Sequence, residues 1–368
     1  VYSSAKMMRM RSGRGMRGFL RRGVVGAGTG AGYRASLWWF GVAGMTGVLE
    51  PSVQHRARGI GGGYPYGVWM DRVVGNLRTA AGDIKLAHSV FAMPFAVLAA
   101  FLARPDDGRW RVFAGQLALV VVCMLAARTW AMMVNRVADR DIDAANPRTA
   151  RRAIASGRLG VRQARAIAAT AGAAFIAACA MFALLFRNWW PLMLSVPVLG
   201  WIALYSYTKR FTALCHLFLG GALAASPLAA AAAIDPASLT RVPALWFLGG
   251  MVVLWVAGFD IIYALQDLEF DRANGLFSIP SRLGPHAAIW LSRGFHAGAV
   301  ALLVLAWRAE PRLGALFAAA VGLVGVLLVV EHVILAKRGQ KGLNMAFFTV
   351  NGVVSCVVGG VGVVAVLL

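Results

Sequence analysis

The chain has 368 residues, 59% of them hydrophobic and 14% charged, and a mean hydropathy of +0.67. A soluble domain needs more charge than that to cover its surface, so the composition excludes an ordinary globular protein. The formal net charge of +22 would suit nucleic acid. The basic residues, however, crowd into residues 1–69 and into short loops between apolar runs, a distribution that fits lipid headgroups and membrane orientation and argues against a nucleic-acid partner.

Residues 1–69 are rich in Arg and Gly, start with several Met and hold almost no acid. Their one apolar patch, Leu37 to Leu49, is too short to span a bilayer and is interrupted by Gly. This segment is expected to be a basic tail without a compact fold, either a targeting address or an over-long start ahead of Met70-Asp71-Arg72. From about residue 80 to residue 368 the pattern changes to a single transmembrane domain. Apolar runs at about 86–104, 112–134, 162–186, 189–207, 212–234, 243–266, 286–307, 313–336 and 344–368 give nine expected spans. They are continuously apolar and rich in Ala, Leu and Val rather than alternating, which predicts helices and not a β-barrel. Pro, Gly and charge mark the breaks, as in Pro105-Asp106-Asp107-Gly108, Asp235-Pro236, Gly284-Pro285 and Glu310-Pro311. The fold class is therefore an all-α polytopic membrane helix bundle. Cys123, Cys179, Cys215 and Cys356 all fall inside apolar runs with no paired spacing, and read as small buried hydrophobes.

With nine spans, the 2–3, 4–5, 6–7 and 8–9 loops share a face and carry roughly twice the Lys and Arg of the opposite loops. The positive-inside rule makes that face cytoplasmic, and the expected location is a bacterial inner membrane. Two acidic stripes end on this face. The first is Asn135, Asp139 and Asp143; the second is Asp260, Tyr263, Asp267 and Asp271. At about 100° per residue each set lies on one side of a helix, while Asp141 points away from the first. An Asp near mid-bilayer costs about 2.5 to 3.5 kcal/mol on insertion scales, so two such stripes in a chain this poor in acid imply a shared site. Carboxylates one turn apart can share or flank Mg²⁺ and leave open positions for phosphate oxygens. Asp260 is the deepest acid of its stripe and Asp271 lies at the mouth, a gradient suited to a substrate with a charged head and an apolar tail.

Several cations lie near these acids. Arg128, two turns deeper than Asn135 on the same face, suits an anionic group of a substrate or pairs with a structural acid. Lys209 and Arg210 open the 4–5 loop and Arg148 follows the first stripe; these three are candidates for holding a polyanion, with plain membrane anchoring as the simpler role for the first two. Arg293 and His296 are weaker candidates, and His88 reads as a packed or interfacial histidine.

The two stripes resemble the paired motifs of the UbiA-type intramembrane prenyltransferases, Asn-Asp-x-x-Asp-x-x-x-Asp and Tyr-x-x-x-Asp-x-x-x-Asp. Asn135, Asp139 and Asp143 match the first, and Tyr263, Asp267 and Asp271 the second. Lys85 to Pro94, the Asn146-Pro147-Arg148-Thr149 segment, Tyr207 to Arg210 and the run from Tyr263 to Gly284 resemble the 4-hydroxybenzoate polyprenyltransferase branch. The resemblance covers residues 80–368 and has one departure: Arg136 stands where the family usually has Asp, replacing a possible ligand by a cation. It implies Mg²⁺-dependent transfer of a polyprenyl group from polyprenyl diphosphate to an aromatic acid such as 4-hydroxybenzoate, in ubiquinone or menaquinone synthesis. A different acceptor, for example a futalosine-pathway menaquinone precursor, is the alternative. Asn135, Asp139, Asp143, Asp267 and Asp271 would hold metal, and Asp260 would join the four motif aspartates in catalysis. A transporter is the competing class, but transporters favour inverted repeats and broken mid-membrane helices. The Asp-Gly-x-x-Ala-Arg signature of CDP-alcohol phosphotransferases is missing.

Overall fold

A computed structural model describes residues 91–339 and 345–368, with Gly75 and Thr79, and gives no side-chain description for residues 345–347. The expectations for residues 1–69, for Met70-Asp71-Arg72, for His88 and for the Lys85 to Val90 part of its segment lie outside the described residues.

Among the described residues all regular structure is helical. In chain order the helices are α1 (Met93–Ala103), α2 (Trp110–Ala138), α3 (Arg140–Ala145), α4 (Val161–Phe186), α5 (Trp190–Thr208), α6 (Cys215–Ile234), α7 (Ser238–Arg241) and α8 (Ala244–Ala264). They continue with α9 (Leu268–Ala273), α10 (Ile279–Ala309), α11 (Gly314–Arg338) and α12 (Phe348–Leu367). Eight described segments are long and apolar enough to cross a bilayer: α2, α4, α5, α6, α8 continued to Ala273, α10, α11 and α12. The first expected span corresponds to the shorter α1, and its opening residues lie outside the described part. Apolar side chains such as Leu184, Met193, Val196, Trp290, Val326 and Val329 are exposed around the bundle, where hydrocarbon rather than water is their solvent. The chain is an integral membrane protein. Trp110, Trp189, Trp190 and Trp246 stand exposed at the helix starts on one end of the bundle, the place of an interfacial aromatic belt. The acidic stripes occupy the other end.

The core is organised on α8, which packs on α6 and α10, while α2 packs on α4. Trp255 is fully buried and sits against Phe95 and Phe259 with ring centroids 5.4 and 5.1 Å away. Its indole Nε1–H donates to Asn351 Oδ1 at 2.7 Å, and Asn351 Nδ2 donates to Glu331 Oε1 at 3.0 Å, so a short polar chain runs through this apolar core. His296 joins the same inner layer, 3.1 Å from His332, and Arg293 stacks on Trp290 at 4.6 Å. Neither lines the acidic cavity described below, so both fall outside the candidate site.

Two glycines position that site. A Cβ on Gly220 of α6 would lie 2.4 Å from the Val253 carbonyl oxygen of α8, so only glycine lets these helices meet so closely. The contact brings the His216 end of α6 onto the Asp260 part of α8. In α10, Gly284 has φ +81° and precedes Pro285, which separates the first turn from the rest of the helix. That first turn bends over the acidic end of the bundle.

Candidate active site

The stripes survive in three dimensions, but not on unbroken helices. At Asp139 the backbone turns to φ −94°, ψ 7°, and α2 gives way to α3. The i to i−4 bonds nevertheless continue across the break, from Asp139 N to Asn135 O at 2.9 Å and from Asp143 N to Asp139 O at 2.7 Å. The second stripe runs from α8 through a tight turn, Leu265–Asp267, into α9. Each stripe keeps its phase because the break is a change of winding and not a reversal of the chain. Asp139 and Asp143 are buried and Asp141 is exposed, as the phasing predicts.

Asn135, Asp139, Asp143, Asp260, Tyr263, Asp267 and Asp271 line one cavity of about 620 Å³, together with Arg148 and Lys209. Contacts between distant parts of the chain tie the two stripes to each other. Arg148, just after the first stripe, grips Asp267 of the second, with Nε 2.8 Å from Oδ1 and its NH2 on Oδ2, and its NH1 donates to the Tyr263 hydroxyl at 3.1 Å. Asn146 Nδ2 adds a bond to Asp267 Oδ1 at 2.9 Å. Burial works to lower the Arg148 pKa, but the bond to Asp267 and the charge of Asp267 outweigh it and hold the guanidinium above its ordinary value. On the first stripe, Arg210 donates to Asp139 Oδ1 at 2.9 Å and to the Ala138 carbonyl at 2.7 Å, capping α2 as well as pairing the acid. Lys209 is 3.5 Å from Asp139 Oδ2, and Asn135 Nδ2 is 3.1 Å from the same oxygen. Arg152 donates to Asp143 at 2.7 Å. Arg136, the departure from the family pattern, donates to Asn135 Oδ1 at 3.1 Å and lines the cavity.

The sequence reading missed Asn146, Arg152, Tyr205, His216 and Ser278. Ser278 Oγ donates to Asp271 Oδ2 at 2.9 Å and accepts from Ser281 N at 3.2 Å, serving at once as a site residue and as the cap of α10. The cap was readable from Ser278-Ile279-Pro280, a hydroxyl followed by proline in the first turn; its contact with Asp271 was not. His216 bonds Asp260 at 2.7 Å across a separation that no local pattern signals.

A second, apolar chamber of about 270 Å³ lies between α2, α4, α5, α6 and α8, with Met93 at the start of α1 also in its wall. It meets the acidic cavity at Met132, Tyr205 and Leu219, which line both. Arg128 belongs to the wall of this chamber and not to the acidic cavity, so it brings a guanidinium into apolar surroundings beyond the acids. Cys123 and Cys179, unpaired by sequence spacing, face each other in the same wall with their sulfurs 3.9 Å apart, as free thiols.

Among the described residues no group of three or more His, Cys, Asp and Glu side chains lies together in a way that would cage a metal ion. The donors in the cavity are carboxylate and amide oxygens in pairs one turn apart. That set fits a hard divalent ion such as Mg²⁺, which takes one or two carboxylates and completes its shell with water and phosphate oxygens.

The sequence profile of the UbiA prenyltransferase family matches residues 92–353. The 4-hydroxybenzoate octaprenyltransferase of Neisseria meningitidis serogroup B is 32% identical over 181 residues, covering 48% of this chain and 58% of that protein. The protein of the same name from Alcanivorax borkumensis is 36% identical over 176 residues, covering 46% of this chain and 57% of its own. The matched stretch thus spans a little over half the length of these curated relatives. A UbiA homolog from Aeropyrum pernix, solved without ligand, is similar with a TM-score of 0.67 and 33% identity over 77% of this chain and 99% of that one. A UbiA homolog from Archaeoglobus fulgidus bound to GPP and Mg²⁺ shares the fold, with a TM-score of 0.57 at 18% identity over 79% of this chain and 100% of that one.

Proposed function

We propose, since the chain belongs to the UbiA prenyltransferase family, that it transfers a polyprenyl group from polyprenyl diphosphate to an aromatic acid such as 4-hydroxybenzoate, as a step of quinone synthesis. One observation carries the reading: an acidic cavity with its own Arg and Lys adjoins an apolar chamber at Met132, Tyr205 and Leu219, which line both. A diphosphate head fits the first and an isoprenoid tail the second.

In this reading Asn135, Asp139 and Asp143 on one stripe, and Asp267 and Asp271 on the other, hold Mg²⁺ with the diphosphate. The metal would supply charge neutralisation of the leaving group. Arg148, Lys209 and Arg210, which pair with Asp267 and Asp139, have donors to offer the phosphate oxygens once those acids take other partners. Tyr263 is held by Arg148 at the edge of the same cavity. The apolar chamber keeps water from the allylic cation that forms when the diphosphate departs. Arg128, in the chamber wall, suits the carboxylate of the acceptor, because a cation in apolar surroundings favours an anionic partner. The electron-rich ring then attacks the cation and loses a proton to recover aromaticity. The greater Lys and Arg content of the loops at this end supports a cytoplasm-facing site, and the bacterial relatives support an inner-membrane location.

The test is a product assay on membranes containing the chain, supplied with Mg²⁺, labelled polyprenyl diphosphate and a panel of aromatic acids. Label is expected in one prenylated acid, dependent on divalent metal. Product with no acid of the panel, alongside ion-gradient-driven uptake into liposomes, would instead establish a transporter.

A further inference from the structure

Asp260 differs from the other acids of the cavity. It lies seven residues before Asp267 in the sequence, about 10 Å deeper at 1.5 Å per residue. Asp260 lines the acidic cavity while its chain neighbour Phe259 lines the apolar chamber, so the carboxylate stands beside the boundary between the two. Among the described residues no Arg or Lys pairs with it, and its partner is His216, with Nδ1 2.7 Å from Asp260 Oδ2. The Ile279 backbone N–H donates to the other ring nitrogen, Nε2, at 3.2 Å. A carboxylate only accepts and a backbone amide only donates, so these two neighbours define the tautomer: a neutral imidazole carrying its proton on Nδ1. The His216 side chain is 2% exposed against 23% for Asp260, so the carboxylate, not the ring, is the group presented to a bound molecule.

We propose that His216 is a positioning residue for Asp260: its Nδ1–H ties down Oδ2 and leaves Oδ1 to take the proton that the aromatic acceptor gives up. The inference rests on the prenyl-transfer reading above. In that reaction the allylic C–O bond breaks and its electron pair leaves with the diphosphate. A ring π pair forms the new C–C bond. The ring C–H bond then breaks, its electrons restore aromaticity, and the proton passes to Asp260 Oδ1. Asp260 returns that proton to water when the products leave. Ile279 sits in the first turn of α10, bent over the site at Gly284, so the anchor of His216 is the same turn whose Ser278 holds Asp271.

Two substitutions separate the donor from the anchor. In His216→Asn an amide can replace Nδ1 and still donate to Asp260. In His216→Gln the amide reaches the place of Nε2, where it can accept from Ile279 but leaves Asp260 without its donor. Each variant is assayed in membranes with Mg²⁺, labelled geranyl diphosphate and 4-hydroxybenzoate, in normal and ring-deuterated form, with geranyl diphosphate binding measured separately as the test of an intact site. For His216→Gln we expect kcat to fall at least about tenfold, toward the lower range of a general-base contribution. Its KM for geranyl diphosphate should stay unchanged, and a ring-deuterium isotope effect should appear that the wild type lacks. His216→Asn should retain most of kcat and show no isotope effect. Wild-type kcat in His216→Gln, or equal losses in both variants with no isotope effect in either, would overturn the assignment while leaving the transfer reaction standing. A wild type that binds geranyl diphosphate but prenylates nothing would sink the transfer reading, and this inference with it.

Discussion

The two acidic stripes have the same spacing but are held differently. The acids of the first stripe are paired with cations: Arg210 and Lys209 hold Asp139, and Arg152 holds Asp143. On the second stripe, among the described residues, only Asp267 pairs with an Arg or Lys: Arg148, which comes from the first stripe's own flank. Asp271 is held by a serine hydroxyl and Asp260 by a histidine. The first stripe thus sits among cations, whereas on the second Asp271 at the mouth and Asp260 at the deep end have uncharged partners on either side of the Arg148–Asp267 pair. A polyanion with its metal is best received at the mouth, where exchangeable Arg and Lys can move from carboxylate to phosphate. Chemistry on a carbon skeleton is better served at Asp260, with which no Arg or Lys pairs among the described residues.

The largest effect should come from removing a metal-facing charge from either stripe. Asp139→Asn and Asp267→Asn keep the side-chain shape and remove the charge that opposes Mg²⁺. Each should lose at least about 10²-fold in turnover, roughly 2.7 kcal/mol of barrier, with membrane insertion unchanged. Steady-state assays at several Mg²⁺ concentrations check this. If both variants keep wild-type turnover without added divalent metal, the two stripes are not a metal site and their different settings have nothing to do with catalysis.

Arg148 is the link between the stripes, so its loss should be felt next. Arg148→Lys keeps the charge but loses the fork that meets both Asp267 oxygens and Tyr263. A roughly tenfold fall in kcat/KM for the prenyl diphosphate is expected, about 1.4 kcal/mol. Equal activity in Arg148→Lys would mean that only charge is needed, and that the Asp267 contact is not a geometric device.

A smaller effect, on stability as well as rate, is expected from Ser278→Ala. The hydroxyl caps α10 and donates to Asp271. Losing a serine cap costs about 0.5–2 kcal/mol, which thermal unfolding in detergent can measure as a lowered Tm. Loss of the Asp271 bond should add a modest fall in turnover. An unchanged Tm would show that the first turn of α10 is held by Pro280 and its contacts instead.

Helical spacing carried the stripes through to the structure because it is local: Asn135, Asp139 and Asp143 repeat with the turn whatever the rest of the chain does. The span pattern was readable for the same reason, since apolar length depends on the bilayer and not on partners. What holds each acid was not readable. Arg148 meets Asp267 across 119 residues and His216 meets Asp260 across 44, and nothing in either local sequence specifies the other. Arg152 lies within the first motif's flank, yet its reach to Asp143 depends on the turns after α3. Arg128 shares the helix of Asn135 and was phased with it, but the chamber it enters is closed by other helices, α4, α5, α6 and α8 among them.

The smallest effect is the most direct check on whether the comparison between the stripes concerns faces of helices or merely acid content. Asp141 lies between Asp139 and Asp143 in sequence, and a count of acids would treat the three alike. Its side chain is 85% exposed, however, and its partner is the neighbouring Arg140 at 3.0 Å, a surface pair of the kind worth about 0–1 kcal/mol. The break at Asp139 does not rotate it inward, because the hydrogen bonds across that break keep the helical phase. Asp141→Asn should therefore leave turnover within about twofold of wild type, a difference under roughly 0.5 kcal/mol, and leave the Mg²⁺ dependence unchanged. Steady-state kinetics beside Asp139→Asn in the same membranes make the comparison. A loss in Asp141→Asn as large as in Asp139→Asn would mean that the segment turns a different face to the substrate, and that the cavity drawn from both stripes has the wrong wall.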